Sequence, residues 1–263
     1  MWNSLTTEGD YALTPRTSLT LVGGYSFLAY PDGDLFNSWT ATGRIGYNYL
    51  WTPKDTVAVF YTYSGIRYSN VDQSIDAHSF QASYARRVTG RLAFQVAVGP
   101  QVVVSRIPIS SGTQGTNTTQ VFLALNTSAQ YQLRRVALRA SYDHWVSPGS
   151  GVFAGAVTDT VQGTATRQMS PTFSSGLTAG YSRNSGLVPS GIHTVTQNYN
   201  YWYVGTNLTH PWRTIGLTLS YQLQYQDSNG AFCTGGGASC GTSYVRHLIS
   251  VGVGWHGERV ILR

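Results

Sequence analysis

The chain has 263 residues, of which only 11% are charged, with a formal net charge of +6 and a pI near 9.4. An average soluble protein is charged at roughly a quarter of its positions, and disordered chains lack aromatics, whereas this one has Gly 29, Tyr 18 and Trp 7. The basic balance argues for no nucleic acid, because the single lysine, Lys54, and the arginines are scattered or set in turns and form no basic run.

No stretch approaches the roughly 18 consecutive apolar residues of a membrane-spanning helix. The start, Met1-Trp2-Asn3-Ser4, leads directly into alternating polar sequence without the basic and apolar regions of a signal peptide. For a protein of the outer membrane, the expectation is that a signal lay upstream.

In chain order, strands are predicted near 2–13, 17–30, 36–51, 55–69, 78–88, 91–106, 118–133, 135–147, 155–169, 172–185, 196–209, 213–226 and 244–256. Side chains alternate between faces along a strand, and these segments alternate in chemistry. In the second, Leu19, Leu21, Gly23, Tyr25 and Phe27 oppose Ser18, Thr20, Val22, Gly24 and Ser26. In the third, Trp39, Ala41, Gly43, Ile45, Tyr47, Tyr49 and Trp51 oppose Thr40, Thr42, Arg44, Gly46 and Asn48. Further on, Leu92, Phe94, Val96 and Val98 oppose Arg91, Ala93, Gln95 and Ala97. Val136, Leu138, Ala140 and Tyr142 oppose Arg135, Ala137, Arg139, Ser141 and Asp143. The cleanest case is 213–226, where Ile215, Leu217, Leu219, Tyr221, Leu223 and Tyr225 oppose Thr214, Gly216, Thr218, Ser220, Gln222, Gln224 and Gln226. Its polar row carries no charge. A strand facing bulk water usually does, so this pattern predicts lipid on one side and a sheltered polar interior on the other.

Short turns recur every 37–44 residues: Thr14-Pro15-Arg16, Thr52-Pro53-Lys54, Thr89-Gly90-Arg91, Leu133-Arg134-Arg135, Ser170-Pro171-Thr172 and His210-Pro211-Trp212-Arg213. Longer polar loops at 31–35, 70–77, 107–117, 148–154, 186–195 and 227–243 alternate with them. A WD40 propeller has a similar period, but it needs four short strands and a Gly-His…Trp-Asp signature per blade. A soluble sandwich would use strands of about 5–6 residues and a charged outer face. Short turns at one end and long loops at the other are the asymmetry of an outer-membrane barrel. Aromatics gather toward both strand ends and predict two interfacial girdles. Tyr25, Tyr61, Tyr63, Tyr142 and Tyr225 lie toward the loops; Tyr49, Trp51, Trp212 and Trp255 lie toward the turns.

The segments 42–49 (Thr-Gly-Arg-Ile-Gly-Tyr-Asn-Tyr), 180–184 (Gly-Tyr-Ser-Arg-Asn) and 251–256 (Val-Gly-Val-Gly-Trp-His), with the Thr-Pro-Arg/Lys turns, resemble uncharacterised porin-like outer-membrane β-barrel proteins of environmental Gram-negative bacteria. The resemblance spans nearly the whole chain but its motifs are general to barrels. It implies an all-β, antiparallel up-and-down transmembrane β-barrel over 1–256 and a short periplasmic tail over 257–263. It also implies that outer-membrane lipid surrounds the wall and that the barrel-assembly machinery reads 244–256. The thirteen predicted strands are an odd number, whereas bacterial single-chain barrels have even numbers. An upstream strand would make about 14, and a misjudged boundary about 12 or 14.

Cys233 and Cys240 share one Gly-rich loop and predict a local disulfide in an oxidising compartment. A thiolate metal site needs further ligands, and only His247 is near in sequence, so no metal and no cofactor are expected. No enzyme is predicted either. No histidine has a serine two residues on, and Asp143 and His144 are adjacent and so point to opposite faces. Asp72, Asp76 and His78 are read as a solvated loop. The predicted lumen is lined by Ser, Thr, Asn and Gly with Gln95, Gln222 and Gln224, and by Arg44, Arg87, Arg91, Arg135 and Arg139. Arginine lining favours anions; Arg87, Arg91 and Arg135 also sit where they would touch headgroups at the turn end. The expected function is passive diffusion of small hydrophilic solutes, and the alternative is a structural or surface-binding barrel acting through its long loops.

Overall fold

The computed structural model describes residues 2–29, 37–69, 73–107, 116–149, 154–187, 198–212, 215–228 and 243–255. Its strands are β1 (Trp2–Thr14), β2 (Thr17–Leu28), β3 (Ser38–Thr52), β4 (Asp55–Tyr68), β5 (Ser74–Arg87), β6 (Leu92–Ile107) and β7 (Thr116–Gln132). There follow β8 (Val136–Gly149), β9 (Ala154–Ser170), β10 (Phe173–Gly186), β11 (Asn198–Trp212), β12 (Ile215–Ser228) and β13 (Ser243–Trp255). All thirteen form one sheet in chain order, each antiparallel to the next. The all-β, up-and-down architecture is therefore the one the alternation predicts, and no helix occurs among the described residues. The largest boundary difference is at the start of β5. β5 begins at Ser74, so Asp76 and His78 stand on a strand rather than in a solvated loop. The reason is Ile75 and Ala77, which are fully buried on the other face and hold this stretch against the sheet.

The short turns are built by their first residue. The Thr14 hydroxyl accepts the N–H of Arg16 (3.2 Å) and of Thr17 (3.1 Å). Thr52 does the same for Lys54 and Asp55, and Thr89 for Arg91 and Leu92. A hydroxyl that bonds its own backbone two and three residues on mimics a turn, and after Thr14 and Thr52 the next residue, Pro15 or Pro53, presets φ.

The pairing register staggers steadily from strand to strand. The perpendicular row through Tyr11, near the turn end of β1, passes Leu19, Tyr47, Val59, Ala82, Val98, Leu125, His144, Asp159, Arg183, Asn200 and Asp227, and emerges at Ser243, the first residue of β13. Such a stagger tilts the strands, as closure into a barrel requires. Along this sheet the outward side chains are mostly apolar and exposed, from Leu5, Leu21, Ile45 and Phe80 to Val121, Val204, Leu219 and Val251, with polar ones such as Asp76, Asp159 and Arg183 toward the loop end.

The curl is tightest in one sector. β7 pairs with β6 from Thr116 to Tyr131, but with β8 only from Leu125 to Gln132. Above His144, β8 leaves β7 while staying paired to β9 up to Gly149. The loop ends of β8–β10 thus roll inside the sheet. Val146 and Val157 share a face with the outward Tyr142 and Val161, yet they pack on the inward Ile66, Ile75 and Val103 of β4–β6 together with Leu187. Gly155 makes this possible. Its φ is +79°, and a Cβ there would stand 2.3 Å from the Ile75 side chain. Its backbone also bonds the Tyr68 hydroxyl and the Leu187 N–H. Ile66, Ile75 and Val103 are fully buried, worth about 1.5–3 kcal/mol each.

The two edges differ from this sector. β1 and β13 each hydrogen-bond one neighbour, and nearly every described residue of both is exposed. With an odd number of antiparallel strands, the two edges run in the same direction.

Candidate functional site

Inside the curl, the inward faces of β3–β9 enclose a cavity of about 530 Å³. Its lining is mostly uncharged and polar: Thr62, Ser64, Ser79, Gln81, Gln95, Gln101, Asn126 and Thr160. Alternation explains this, since each of these residues holds the inward position of its strand. Two charges enter. Arg44 lays its guanidinium over the Phe60 ring, 3.7 Å from the centroid, a cation–π contact that keeps the side chain along the wall. Asp143 lies across the cavity and accepts a hydrogen bond from the Asn126 amide. The buried Ser79 hydroxyl has no partner among the described residues. A second, more open cavity of about 620 Å³ lies against β9–β13 and includes Tyr201, Tyr203, Ser220 and Gln222.

The predicted lumen residues divide by position. Arg44 and Gln95 line the first cavity. Gln222 lines the second, and the Gln224 amide donates to Gln222 Oε1 at 3.0 Å. Arg87 and Arg139 occupy inward positions but are exposed, Arg87 being the last residue of β5. Arg91 and Arg135 are exposed and lie in hairpin turns, each one residue before its strand begins. Their strands begin only after them, because Thr89 closes its turn at Leu92 and the Leu133 N–H bonds Val136. Among the described strand residues the inward charges number four arginines (Arg44, Arg87, Arg139, Arg246) against three carboxylates (Glu8, Asp10, Asp143), and Asp10 accepts from Thr20 at 2.6 Å. Cys233, Cys240 and the tail 257–263 lie outside the described residues.

The aromatic candidates differ in exposure. Tyr25, Tyr49, Trp51, Tyr61, Trp212 and Tyr225 are exposed large side chains, whereas Tyr63 and Tyr142 are half-buried. Trp255 pairs with Ile215 at the turn end. What sequence reading missed is the polar company these rings keep. Tyr63 donates to Asp76 (2.8 Å), which also binds Arg67 (2.7 Å), and Tyr61 bonds His78 (2.7 Å). His144 pairs with Asp159 (2.6 Å) on the neighbouring strand, with Tyr142 donating to the same oxygen (2.8 Å). Tyr221 bonds His247 (2.9 Å). Adjacency in sequence pointed to Asp143 as the neighbour of His144; the register supplies Asp159 instead. These pairs satisfy polar groups on an apolar face, which would otherwise cost about 1–3 kcal/mol each. Among the described residues no group of three potential metal ligands converges.

No family model matches the chain, and no curated protein matches it. Among solved structures it is similar to the siderophore receptor PirA from Pseudomonas aeruginosa, at 12% identity and a TM-score of 0.46, over 96% of this chain and 52% of the receptor. The chain thus spans about half the length of that protein.

Proposed function

We propose that this chain is the wall of a porin-like β-barrel of the bacterial outer membrane that passes small hydrophilic solutes by diffusion. One observation carries the reading. Every strand turns exposed apolar side chains outward while the enclosed space is lined mostly by uncharged polar groups. A soluble monomer rarely exposes a contiguous apolar patch beyond a few hundred Å², and this one would run around the whole sheet. In lipid the same face is at home.

Outer-membrane lipid is then the outer partner. The small excess of inward arginine over carboxylate supports a mild preference for anions. Strand edges are not tolerated in hydrocarbon, so β1 and β13 must be covered. One further strand, antiparallel to both, would satisfy them and bring the wall to an even count of about 14. The segment 244–256, apolar on its outward face and ending near Trp255, is proposed as the part the barrel-assembly machinery reads.

Planar-bilayer recording of the folded protein tests the channel. Ion-conducting events with a modest anion preference are expected, and their absence from folded protein would overturn it. One observation favours a second reading, a non-conducting structural or surface-binding barrel: the cluster of Ile66, Ile75, Val103, Val146 and Leu187 fills the loop end of the interior between β4–β6 and β8–β10. Electrically silent but correctly folded protein is what that reading predicts.

A further inference from the structure

The place where β8 leaves β7 does more than close the interior. Above the Leu125–His144 pair, the β8 side of β7 has no strand partner among the described residues. The 530 Å³ cavity lies behind this split, and its lining mixes two kinds of position. Arg44, Ser79 and Asn126 hold inward positions. Leu125 and His144 hold outward ones, and they form the last rung of the β7–β8 ladder. The cavity therefore reaches both the interior and the outward face. Trp145 lines it too and is 47% exposed.

The chemistry grades along this passage. At the split the side chains are Leu125, Trp145 and Val146. At the far wall stands Arg44, whose guanidinium rests on Phe60; its one carboxylate neighbour along the row, Glu8, lies two strands away on β1 and forms no ion pair with it. Near it the Ser79 hydroxyl, 93% buried by its 7% exposure, has no hydrogen-bond partner among the described residues. Buried polar atoms are nearly always bonded, so this hydroxyl points to a polar group that occupies the cavity. Asp143, the other charge of the lining, accepts the Asn126 amide and forms no ion pair with Arg44 among the described residues.

We infer that the β7–β8 split is a lateral portal, and that the cavity binds a single-chain amphiphile with a carboxylate head, of the fatty-acid type. The carboxylate meets Arg44 and Ser79. The alkyl chain runs along Leu125, Trp145 and Val146 and leaves through the split toward lipid. This goes beyond diffusion of hydrophilic solutes and does not depend on it, since a barrel that conducts nothing can still bind an amphiphile.

The test uses the whole chain folded in a non-ionic detergent. A bromine-labelled long-chain fatty acid quenches nearby tryptophan fluorescence on contact. Saturable quenching is expected, and Trp145→Phe should remove most of its amplitude. The matching brominated alcohol should bind about 10-fold more weakly, the equivalent of one charge-assisted hydrogen bond. Arg44→Gln should abolish that preference for the acid while leaving the alcohol unchanged. Ser79→Ala, a smaller change that keeps the arginine, should weaken the acid by a few-fold and guards against a misfolded Arg44 variant. Equal quenching in Trp145→Phe, or equal binding of acid and alcohol by the unaltered protein, would overturn the site. None of these readings depends on conductance, so failure of the portal and failure of the channel are told apart.

Discussion

The sector β4–β10 and the sector formed by β11–β13 with β1–β3 obey the same two-residue alternation and end in opposite states. In the first, inward side chains meet a second layer: the loop ends of β8–β10 lie within the curl, and Ile66, Ile75, Val103 and Val146 form a closed apolar cluster. In the second, inward side chains such as Ser220 and Ser250 bond to each other across strands and otherwise face open space. Alternation alone does not make this difference. It comes from one glycine with positive φ, from the early end of the β7–β8 ladder, and from apolar residues at the inward positions of β4–β6. The lesson is that one pattern yields either a water-accessible wall or a packed core, according to what lies opposite.

The largest effect that separates the two sectors is expected at Gly155. Gly155→Val places a branched side chain at positive φ and against Ile75, and it should destabilise the folded protein by about 3 kcal/mol or more. Denaturant unfolding in detergent measures this. Gly163→Ala, at a position where an added Cβ meets nothing within 4 Å, should stay within about 0.5 kcal/mol. If the two glycines respond alike, the rolled-in layer is absent.

Next in size is the outward face of the open sector. Val251→Arg should cost about 2–4 kcal/mol when the protein is folded into vesicles, whereas Ser250→Arg, one residue away and inward, should cost far less. Refolding yield and urea midpoint in vesicles read the difference. A smaller effect belongs to the rim of the packed sector. Asp76→Ala leaves Arg67 and the Tyr63 hydroxyl without their shared acceptor and should cost about 1–3 kcal/mol.

The smallest concerns a turn outside the membrane. Hydrogen bonds from Thr52 and Tyr84 hold the Asp55 carboxyl below the ordinary carboxylate range, with Arg86 and Lys54 adding to the effect. A lowered folded-state pKa contributes stability that is present above the unfolded value and is lost as pH falls through the folded one. Stability should therefore decline on acidification below about pH 4, and Asp55→Asn should flatten that decline by lowering stability slightly at neutral pH while leaving the acid end unchanged. An unchanged acid limb would remove Asp55 from the account.

Much of this was readable in the chain. β12 from Ile215 to Ser228 sits where its alternation put it, and its outward and inward residues are the ones the pattern assigned. The turns were readable because Thr14, Thr52 and Thr89 act locally. β6 and β8 begin one residue after Arg91 and Arg135, since a period of two does not mark where a turn closed by the Thr89 hydroxyl or by the Leu133–Val136 backbone bond ends. The packed sector was not readable. Val146 and Val157 hold positions that continue an outward row, and only contact with Ile75, about 70 residues earlier in sequence, turns them inside. The pairing of His144 with Asp159 was hidden for the same reason, because register across strands is not local. The unpartnered hydroxyl of Ser79, one serine among many in sequence, became informative only once its burial was known.

The central claim is that one face of each strand meets lipid and the other a polar interior. A fluorophore placed in turn at residues 217–224 of β12, in a background with Cys233→Ser and Cys240→Ser, tests it in vesicles. Collisions with a lipid-borne quencher should be strong at 217, 219, 221 and 223 and weak at 218, 220, 222 and 224, with a water-borne quencher showing the reverse order. A profile without this alternation, or water access at both sets alike, would contradict the account.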